Sequence, residues 1–187
     1  PILTMPNDDI SLTKTSSSIK PKRKKYQEIK KDIPAKKLVY IDETVIEERI
    51  VKDRGWGKRS QKLAAKKSGK YYERSNIIAG YVNNKSIAPM VFSGSCNTSL
   101  FEAWVEQFLI KELVPGQFVI MDNASFHKSQ RTKELIESVG CRLLYQPAYS
   151  PDLNPIEQQW AVLKAKFRKH KQKFKTFNEA VDYAFIA

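Results

Sequence analysis

Cysteine is scarce in this sequence, and long hydrophobic runs are missing. The two cysteines, Cys96 and Cys141, lie far apart among apolar residues, without the spacing of a zinc site, which indicates reduced, structural thiols. The sequence contains no run of 18 apolar residues, no signal-peptide pattern and no internal repeat. We therefore expect a soluble, intracellular protein with no membrane partner.

Acidic residues are also in short supply. The chain has 33 Lys and Arg against 20 Asp and Glu, a net charge of +13. The excess lies in three runs, at residues 20–31, 52–74 and 164–175. A single basic run is typical of a solvated face, but three in one chain indicate a polyanionic partner, and we infer nucleic acid.

The sequence predicts one domain preceded by an arm. The 187 residues, 41% hydrophobic and 11% aromatic, are enough for a folded core. Residues 1–35 show poor hydrophobic periodicity and read as a basic linker with a short helix at 26–32. We expect residues 36–187 to form the domain. Its last helix, from Asn178, has no visible terminator, so the domain reads as truncated at its C-terminal end.

The pattern of elements predicts an α/β fold, a mixed sheet flanked by helices. Apolar alternation predicts strands at 38–43, 118–122 and 142–145, a partner segment at 45–51, and a hairpin of 75–83 with 87–92. Helical periodicity predicts helices at 99–113, capped by Asn97 or Thr98, and at 129–138, stopped by Gly140. The apolar face of the first comprises Phe101, Trp104, Val105, Phe108 and Leu109.

A third helix begins near Asn154, with Pro155 at its first position. Its residues at helical spacing predict one face packed against a core: Ile156, Trp160, Leu163 and Phe167. Glu157 lies in the first turn, one residue off that face. A carboxylate held at this point could be directed toward the edge of the sheet.

Three acids are placed where an α/β sheet gathers its sites. Asp42 and Asp122 are predicted at or near the ends of apolar strands, and Glu157 opens the helix after a third strand. Three convergent carboxylates would repel one another without a cation, and their hard oxygens suit Mg²⁺ or Mn²⁺. Two such ions about 4 Å apart can stabilise both the attacking and the leaving oxygen of a phosphodiester displacement. Basic surroundings then predict an enzyme that cuts nucleic acid.

Each of these residues also has a structural interpretation. Either aspartate alone could be a turn or cap residue, and Asn154 with Glu157 loosely fits a capping box. Asp152, the rival acid, reads as a turn residue, and Glu43 should point to the face opposite Asp42. His127 is either a solvent-facing loop residue or a phosphate or leaving-group contact.

Three ordered blocks resemble the catalytic blocks of DDE transposases: VYIDET at 39–44, VIMDNASFHK at 119–128 and YSPDLNPIE at 149–157. The similarity is greatest to the bacterial insertion-sequence branch related to mariner elements, in which 34 residues separate the last two acids, as between Asp122 and Glu157 here. The basic RGWGKR segment at 54–59 and the SGK segment at 68–70 also resemble this group.

The resemblance implies a ribonuclease-H-like, retroviral-integrase-like fold with Asp42, Asp122 and Glu157 as catalytic metal ligands. It also implies Mg²⁺- or Mn²⁺-dependent cleavage of double-stranded DNA, transfer of the freed 3′-hydroxyl to target DNA, often at TA, and a homodimer in the active complex. In a bacterium the protein would act at the nucleoid in the cytoplasm, and in a eukaryote in the nucleus. We predict DNA contacts from ten residues: Arg54, Trp56, Lys58, Arg59, Lys62, His127, Lys128, Lys164, Arg168 and Lys169.

Two departures from the family pattern leave alternatives open. Ala148 replaces a proline, and the family's N-terminal helix-turn-helix module is not recognisable, only its trailing linker. The alternatives are a decayed transposase that only binds DNA, or another ribonuclease-H-like nuclease acting on hybrids or junctions.

Overall fold

The structure, a computed structural model, describes residues 8–47, 74–148 and 150–186, with side chains from residue 20 onward. The strands are β1 (Leu38–Glu47), β2 (Arg74–Val82), β3 (Lys85–Phe92), β4 (Phe118–Met121) and β5 (Arg142–Tyr145). The helices are α1 (Asp8–Lys31), α2 (Thr98–Trp104), α3 (Ile110–Glu112), α4 (Gln130–Ser138), α5 (Ile156–His170) and α6 (Phe177–Ile186). These elements confirm the predicted α/β class.

The five strands form one mixed sheet in the order β3-β2-β1-β4-β5. The first three strands pair antiparallel, whereas β1, β4 and β5 run parallel to one another. The β2–β3 hairpin is confirmed, and its two-residue turn has positive φ at Asn83 and Asn84, 48° and 61°. This is the type I′ geometry that matches the twist of the flanking strands.

Side chains alternate between two cores, one on each face of the sheet. On β1, Leu38 and Tyr40 face a core shared with α1, α5 and α6, while Val39 and Ile41 face a core shared with α2 and α4. The predicted face of α5 is confirmed, because Ile156, Trp160, Leu163 and Phe167 are all buried in the first core. The helix itself begins at Ile156, after a 3₁₀ turn, rather than near Asn154.

The first strand is predicted to carry Asp42 at or near its end and to continue into a partner segment at 45–51. In the structure the two form a single strand, and β1 continues to Glu47. Pairing with β2 explains this length, since the antiparallel register runs from Tyr40–Tyr81 to Glu47–Arg74. Asp42 is therefore inside β1. The part of the predicted partner segment beyond residue 47 lies outside the described residues.

The helix predicted at 99–113 changes geometry partway. Asn97 is its cap, since its side-chain oxygen accepts a hydrogen bond from the Leu100 N–H at 2.9 Å. A π-helical turn, Val105–Leu109, then joins α2 to α3. Such a turn shifts the phase of the side chains, and Phe108, predicted to be buried, is 44% exposed.

The largest correction concerns the short helix predicted at 26–32 in the basic arm. In the structure, α1 extends over 24 residues and includes Pro21. Its C-terminal part docks on the domain through Tyr26, which is 3% exposed in the core, and through Arg23, which forms a two-pronged ion pair with Asp152. One buried aromatic residue gives no periodic signal, so tertiary contact rather than sequence pattern accounts for this helix.

Two further expectations can be compared with the structure. Both cysteines are free thiols, in agreement with the prediction. Within the described residues, no helix combines the length and the apolar character needed to cross a bilayer.

If α1 is part of the fold, Tyr26→Ala should destabilise the protein by about 3–5 kcal/mol, as expected for removal of a buried aromatic side chain. Chemical denaturation measures this. Ile29→Ala is the matched control on the same helix, because Ile29 is 41% exposed and should change stability by less than about 1 kcal/mol. Equal, small effects of both substitutions would show that α1 is not docked.

Candidate active site

The two aspartates come together through the parallel register of β1 and β4. Pairing of these strands ends at Tyr40–Ile120. Asp42 and Asp122 each lie two residues further along, so a continuation of this register places them at the same level. Beyond Tyr40 and Ile120, β1 and β4 no longer pair, which leaves a gap between them at the carboxyl end of β4. Open α/β sheets typically carry their sites at such strand ends.

Helix α5 brings the third acid to the same gap. Glu157 is the second residue of α5, and Trp160, three residues later, fixes the helix to β1. The Trp160 indole N–H donates to Asp42 Oδ2 at 3.3 Å. Residues three apart lie on the same side of a helix, so this bond directs the first turn of α5, with Glu157, toward Asp42.

The three acids line one cleft of about 350 Å³. Its walls come from the ends of β4 and β5 and from the loop that leads into α5. The other lining residues are Asn123, Gln146, Pro147, Ala148, Ser150, Pro151 and Asn154. The structure thus brings together the residues predicted to be catalytic.

The surroundings of Asp42 disfavour the charged form of its carboxyl group. Burial, followed by the charges of Glu157 and Glu43, raises its pKa to about 7. Hydrogen bonds from the Glu43 N–H at 2.9 Å and from Trp160 oppose this rise without cancelling it. The cleft therefore has an excess of negative charge that a bound cation would relieve.

Asp122 is held differently. Its Oδ1 accepts hydrogen bonds from the Ala124 N–H at 2.8 Å and from His127 Nδ1 at 2.7 Å. The hydrogen bond from His127 is the main reason that the pKa of Asp122 lies below its usual value. The other ring nitrogen of His127 lies 3.0 Å from Glu43 Oε1. Burial lowers the pKa of His127, but these two carboxylates outweigh it and raise that pKa to about 9.

A hard divalent cation fits the chemistry of the cleft, since its acids supply the oxygen ligands that Mg²⁺ and Mn²⁺ prefer, and burial together with the charge of Glu157 raises the pKa of Asp42. In the described parts of the chain, however, no three His, Cys, Asp or Glu side chains are close enough to hold one ion. A shared ion requires at least one acid to move. Glu157 is exposed, and within those parts its carboxylate makes no hydrogen bond, so it is free to do so.

Comparison with known proteins identifies the domain. The family model described as DDE superfamily endonuclease matches residues 37–180. The chain belongs to this family. It is also 48% identical over 42 residues to the Tc3 transposase of Caenorhabditis elegans, a match that covers 22% of this chain and 13% of that protein. The predicted DDE family is thereby confirmed.

Solved structures confirm the predicted ribonuclease-H-like fold of this DDE domain. The Mos1 transposase in its paired-end complex with the left transposon end superimposes with a TM-score of 0.64 at 15% identity, over 100% of this chain and 57% of that one. The catalytic core of BIV integrase superimposes with a TM-score of 0.52 at 16% identity, over 81% and 82% of the two chains. The chain thus spans little more than half the length of the Mos1 transposase.

The structure distinguishes between several interpretations left open by the sequence. Asp152 lies outside the cleft, paired with Arg23. Asn154 does not form the proposed capping box, because its side-chain oxygen is buried without a partner among the described residues and its amide lies 3.5 Å from Asp42 Oδ2. Glu43 lies on the opposite face from Asp42, as expected, yet contacts the site through His127.

One predicted DNA contact is corrected. His127 is 1% exposed and enclosed between two carboxylates, so it is not placed to touch a phosphate. Among the other predicted contacts, Lys128, Arg168 and Lys169 are exposed and Lys164 is half-buried. The remaining five lie outside the described residues: Arg54, Trp56, Lys58, Arg59 and Lys62.

The sequence pattern does not identify the residues that hold the acids in place. Helical spacing predicts Trp160 as a core residue, although its spacing of three from Glu157 also points to the site. Glu43 is predicted on the face away from Asp42, and that position gives no sign of its contact with His127. A histidine five residues after Asp122 was a visible signal, but its burial was not.

The raised pKa of Asp42 predicts the pH dependence of stability. Because the Asp42 carboxyl group binds its proton more tightly in the folded state, the protein loses stability as the pH rises from the ordinary pKa of this group, 3.8, to its folded-state pKa of about 7. Without metal, Asp42→Asn should therefore raise the melting temperature at pH 8 by several degrees, since 1 kcal/mol shifts it by about 2–4 °C in a domain of this size. At pH 4 the gain should vanish. A variant that is no more stable than the wild type at pH 8 would contradict the raised pKa of Asp42.

Proposed function

We propose that this chain is the catalytic domain of a transposase that cleaves DNA strands and transfers the resulting 3′ end to target DNA, with the help of divalent metal ions. The observation that carries the proposal is the common cleft of Asp42, Asp122 and Glu157, each supplied by a different element of a DDE domain. We also propose that the transposase belongs to an insertion sequence of the bacterial branch, and this part of the proposal rests on the three sequence blocks alone.

The three acids would hold the ions, which we propose to be two Mg²⁺ or Mn²⁺. Bound ions would activate the attacking oxygen and stabilise the charge of the leaving oxygen. Mos1 paired-end complexes with Mn and with Mg support the choice of metal. The chain's own contribution is to orient the carboxylates: Trp160 holds Asp42, and the Ala124 N–H holds Asp122.

The partner we propose is double-stranded DNA, which includes both the ends of the element and the target DNA. Insertion into the target would occur at TA dinucleotides. Two observations support it. The basic end of α5 presents Arg168 and Lys169 to solvent, and Mos1 is known in a paired-end complex with a transposon end and in a strand transfer complex. A homodimer in the active complex is part of the same proposal.

A second candidate is a domain that binds DNA without cutting it. The favouring observation is that no three of the described acidic, histidine or cysteine side chains lie within reach of a single ion. The presence of all three acids in one cleft argues for activity. Metal-dependent nicking of supercoiled plasmid distinguishes the two candidates.

The role of Glu157 can be separated from that of a helix cap. Glu157→Gln keeps the size and the hydrogen-bonding oxygen but loses the charge that a cation needs. The loss of a negative charge at a helix N-terminus costs only about 0.3–1 kcal/mol. We therefore expect a melting temperature without metal close to that of the wild type, and plasmid nicking reduced by roughly a thousandfold.

Asp122→Asn is the companion variant and should abolish nicking as well. Asp152→Asn is the control, because Asp152 lies outside the cleft and should leave the nicking rate within about twofold. A Glu157→Gln protein with a much lower melting temperature but a normal nicking rate while folded would show that Glu157 has a structural role and not a catalytic one.

DNA binding should be electrostatic, with little sequence preference. Each lysine or arginine that neutralises a phosphate contributes about 0.9 to the slope of log affinity against log salt. Replacing Arg168 and Lys169 by glutamine should lower that slope by up to about 2, measured by titration of a duplex at several salt concentrations. The control is Lys85→Gln, an exposed cation beside the β2–β3 turn, on the edge strand β3 rather than on α5. An equal loss in the control would show that net charge, and not this surface, matters.

A further inference from the structure

We propose that Glu43 and His127 form a clamp that positions Asp122 by fixing which of its two oxygens faces the cleft. The inference rests on the proposed function, in which Asp122 holds a metal ion. It assigns a positioning role to two residues on the face of the sheet away from Asp42, and we refer to the pair below as the Glu43–His127 clamp.

The clamp is a continuous chain of hydrogen bonds across two strands. His127 Nδ1 lies 2.7 Å from Asp122 Oδ1, and His127 Nε2 lies 3.0 Å from Glu43 Oε1. Both ring nitrogens of His127 are thus within hydrogen-bonding distance of a carboxylate oxygen, one on Asp122 and one on Glu43.

The ring has no freedom to turn away from these partners. Its exposed fraction is 1%, and Phe101 and Phe126 pack against it with ring centroids at 4.4 and 4.3 Å. Its backbone carbonyl accepts a hydrogen bond from the Tyr145 hydroxyl at 3.0 Å. A side chain held in this way can transmit the position of one partner to the other.

The clamp lies where the backbone stops joining the two strands. Parallel pairing of β1 with β4 ends at Tyr40–Ile120, two residues before each aspartate. Glu43 adjoins Asp42 on β1, and His127 follows β4 in a short 3₁₀ turn, Ser125–Lys128. The side-chain bridge therefore ties the two acid-bearing segments together beyond the last backbone hydrogen bonds.

As a consequence, the two carboxylate oxygens of Asp122 have different roles: Oδ1 binds the clamp, and Oδ2 is left for the cleft. Oδ1 already accepts from the His127 ring and from the Ala124 N–H at 2.8 Å. Within the described residues, Oδ2 has no hydrogen-bond donor, although the carboxyl group is 58% exposed and lines the cleft. Partners that orient a metal ligand in this way typically change metal affinity by about 10–100-fold when removed.

The test uses Mn²⁺ alone as the probe, with its affinity measured by the electron paramagnetic resonance of free Mn²⁺, and with metal-free melting as the check on folding. Glu43→Ala should weaken Mn²⁺ binding by about tenfold. Glu43→Gln keeps an oxygen that accepts from His127 and should restore most of that affinity, although it lacks the charge. Glu47→Ala is the matched control, because Glu47 is exposed on the same strand, and it should bind Mn²⁺ like the wild type.

The glutamine variant decides between orientation and charge. If Glu43→Gln binds Mn²⁺ as weakly as Glu43→Ala, the effect is the loss of a nearby negative charge, and the clamp is overturned. At the histidine, His127→Asn retains a donor toward Asp122 and should bind Mn²⁺ more tightly than His127→Leu. Equal affinities of these two variants, both folded, would also overturn the clamp.

Asp122→Asn separates this inference from the function on which it rests. If Asp122→Asn loses Mn²⁺ binding while Glu43→Ala and His127→Leu keep wild-type affinity, the clamp alone is wrong. If Asp122→Asn binds Mn²⁺ like the wild type, the metal site, and with it the proposed function, is wrong.

Discussion

Burial of a carboxyl group beside other acids is the constraint on which this site depends. Enclosure of Asp42, followed by the charges of Glu157 and Glu43, raises its pKa to about 7. Such an arrangement persists only if the surrounding structure over-determines it. The indole of Trp160, the backbone of Glu43 and the His127 ring supply that support from three directions.

The two faces of the sheet divide the work of supporting the acids. On one face, α5 packs its buried residues into the core and delivers both Trp160 and Glu157 to Asp42. On the other, the aromatic surroundings of His127 belong to the core shared with α2 and α4. The site is thus built where both cores reach the point at which β1 and β4 separate: Asp42 is held from one core through Trp160, and Asp122 from the other through His127.

The sequence predicts those elements whose residue pattern repeats regularly within a short segment of the chain. The buried face of α5 and the β2–β3 hairpin have regular periods, and these elements were confirmed. Helix α1 could not be predicted at its full length, because a few contacts such as that of Tyr26 hold it. Phe108 was misplaced because a π-helical turn changes the phase of the pattern without altering its composition.

The site shows the same limit. The acids that follow apolar runs and the acid at a helix start were visible in the sequence, although Asp42 lies inside β1 and not at its end. Distances and burial depend on the packing of elements far apart in the chain, so the enclosure of His127 and the spacing of the acids could not be predicted. Glu43 and His127 are 84 residues apart in sequence and 3.0 Å apart in space. A single sequence contains no periodic signal for such a pair.

Helix α5 combines the opposite charges that the proposed function needs. Glu157 lies in its first turn and Arg168 and Lys169 in its last, so the acid and the cations both interact favourably with the helix dipole. At 1.5 Å per residue, Glu157 and Arg168 are separated by roughly 16 Å along the axis. Duplex DNA carries one charge per about 1.7 Å, so in the proposed complex this length would correspond to several base pairs. Because Trp160 fixes the same helix to Asp42, a strand gripped at the basic end would be held at a set distance from the acids.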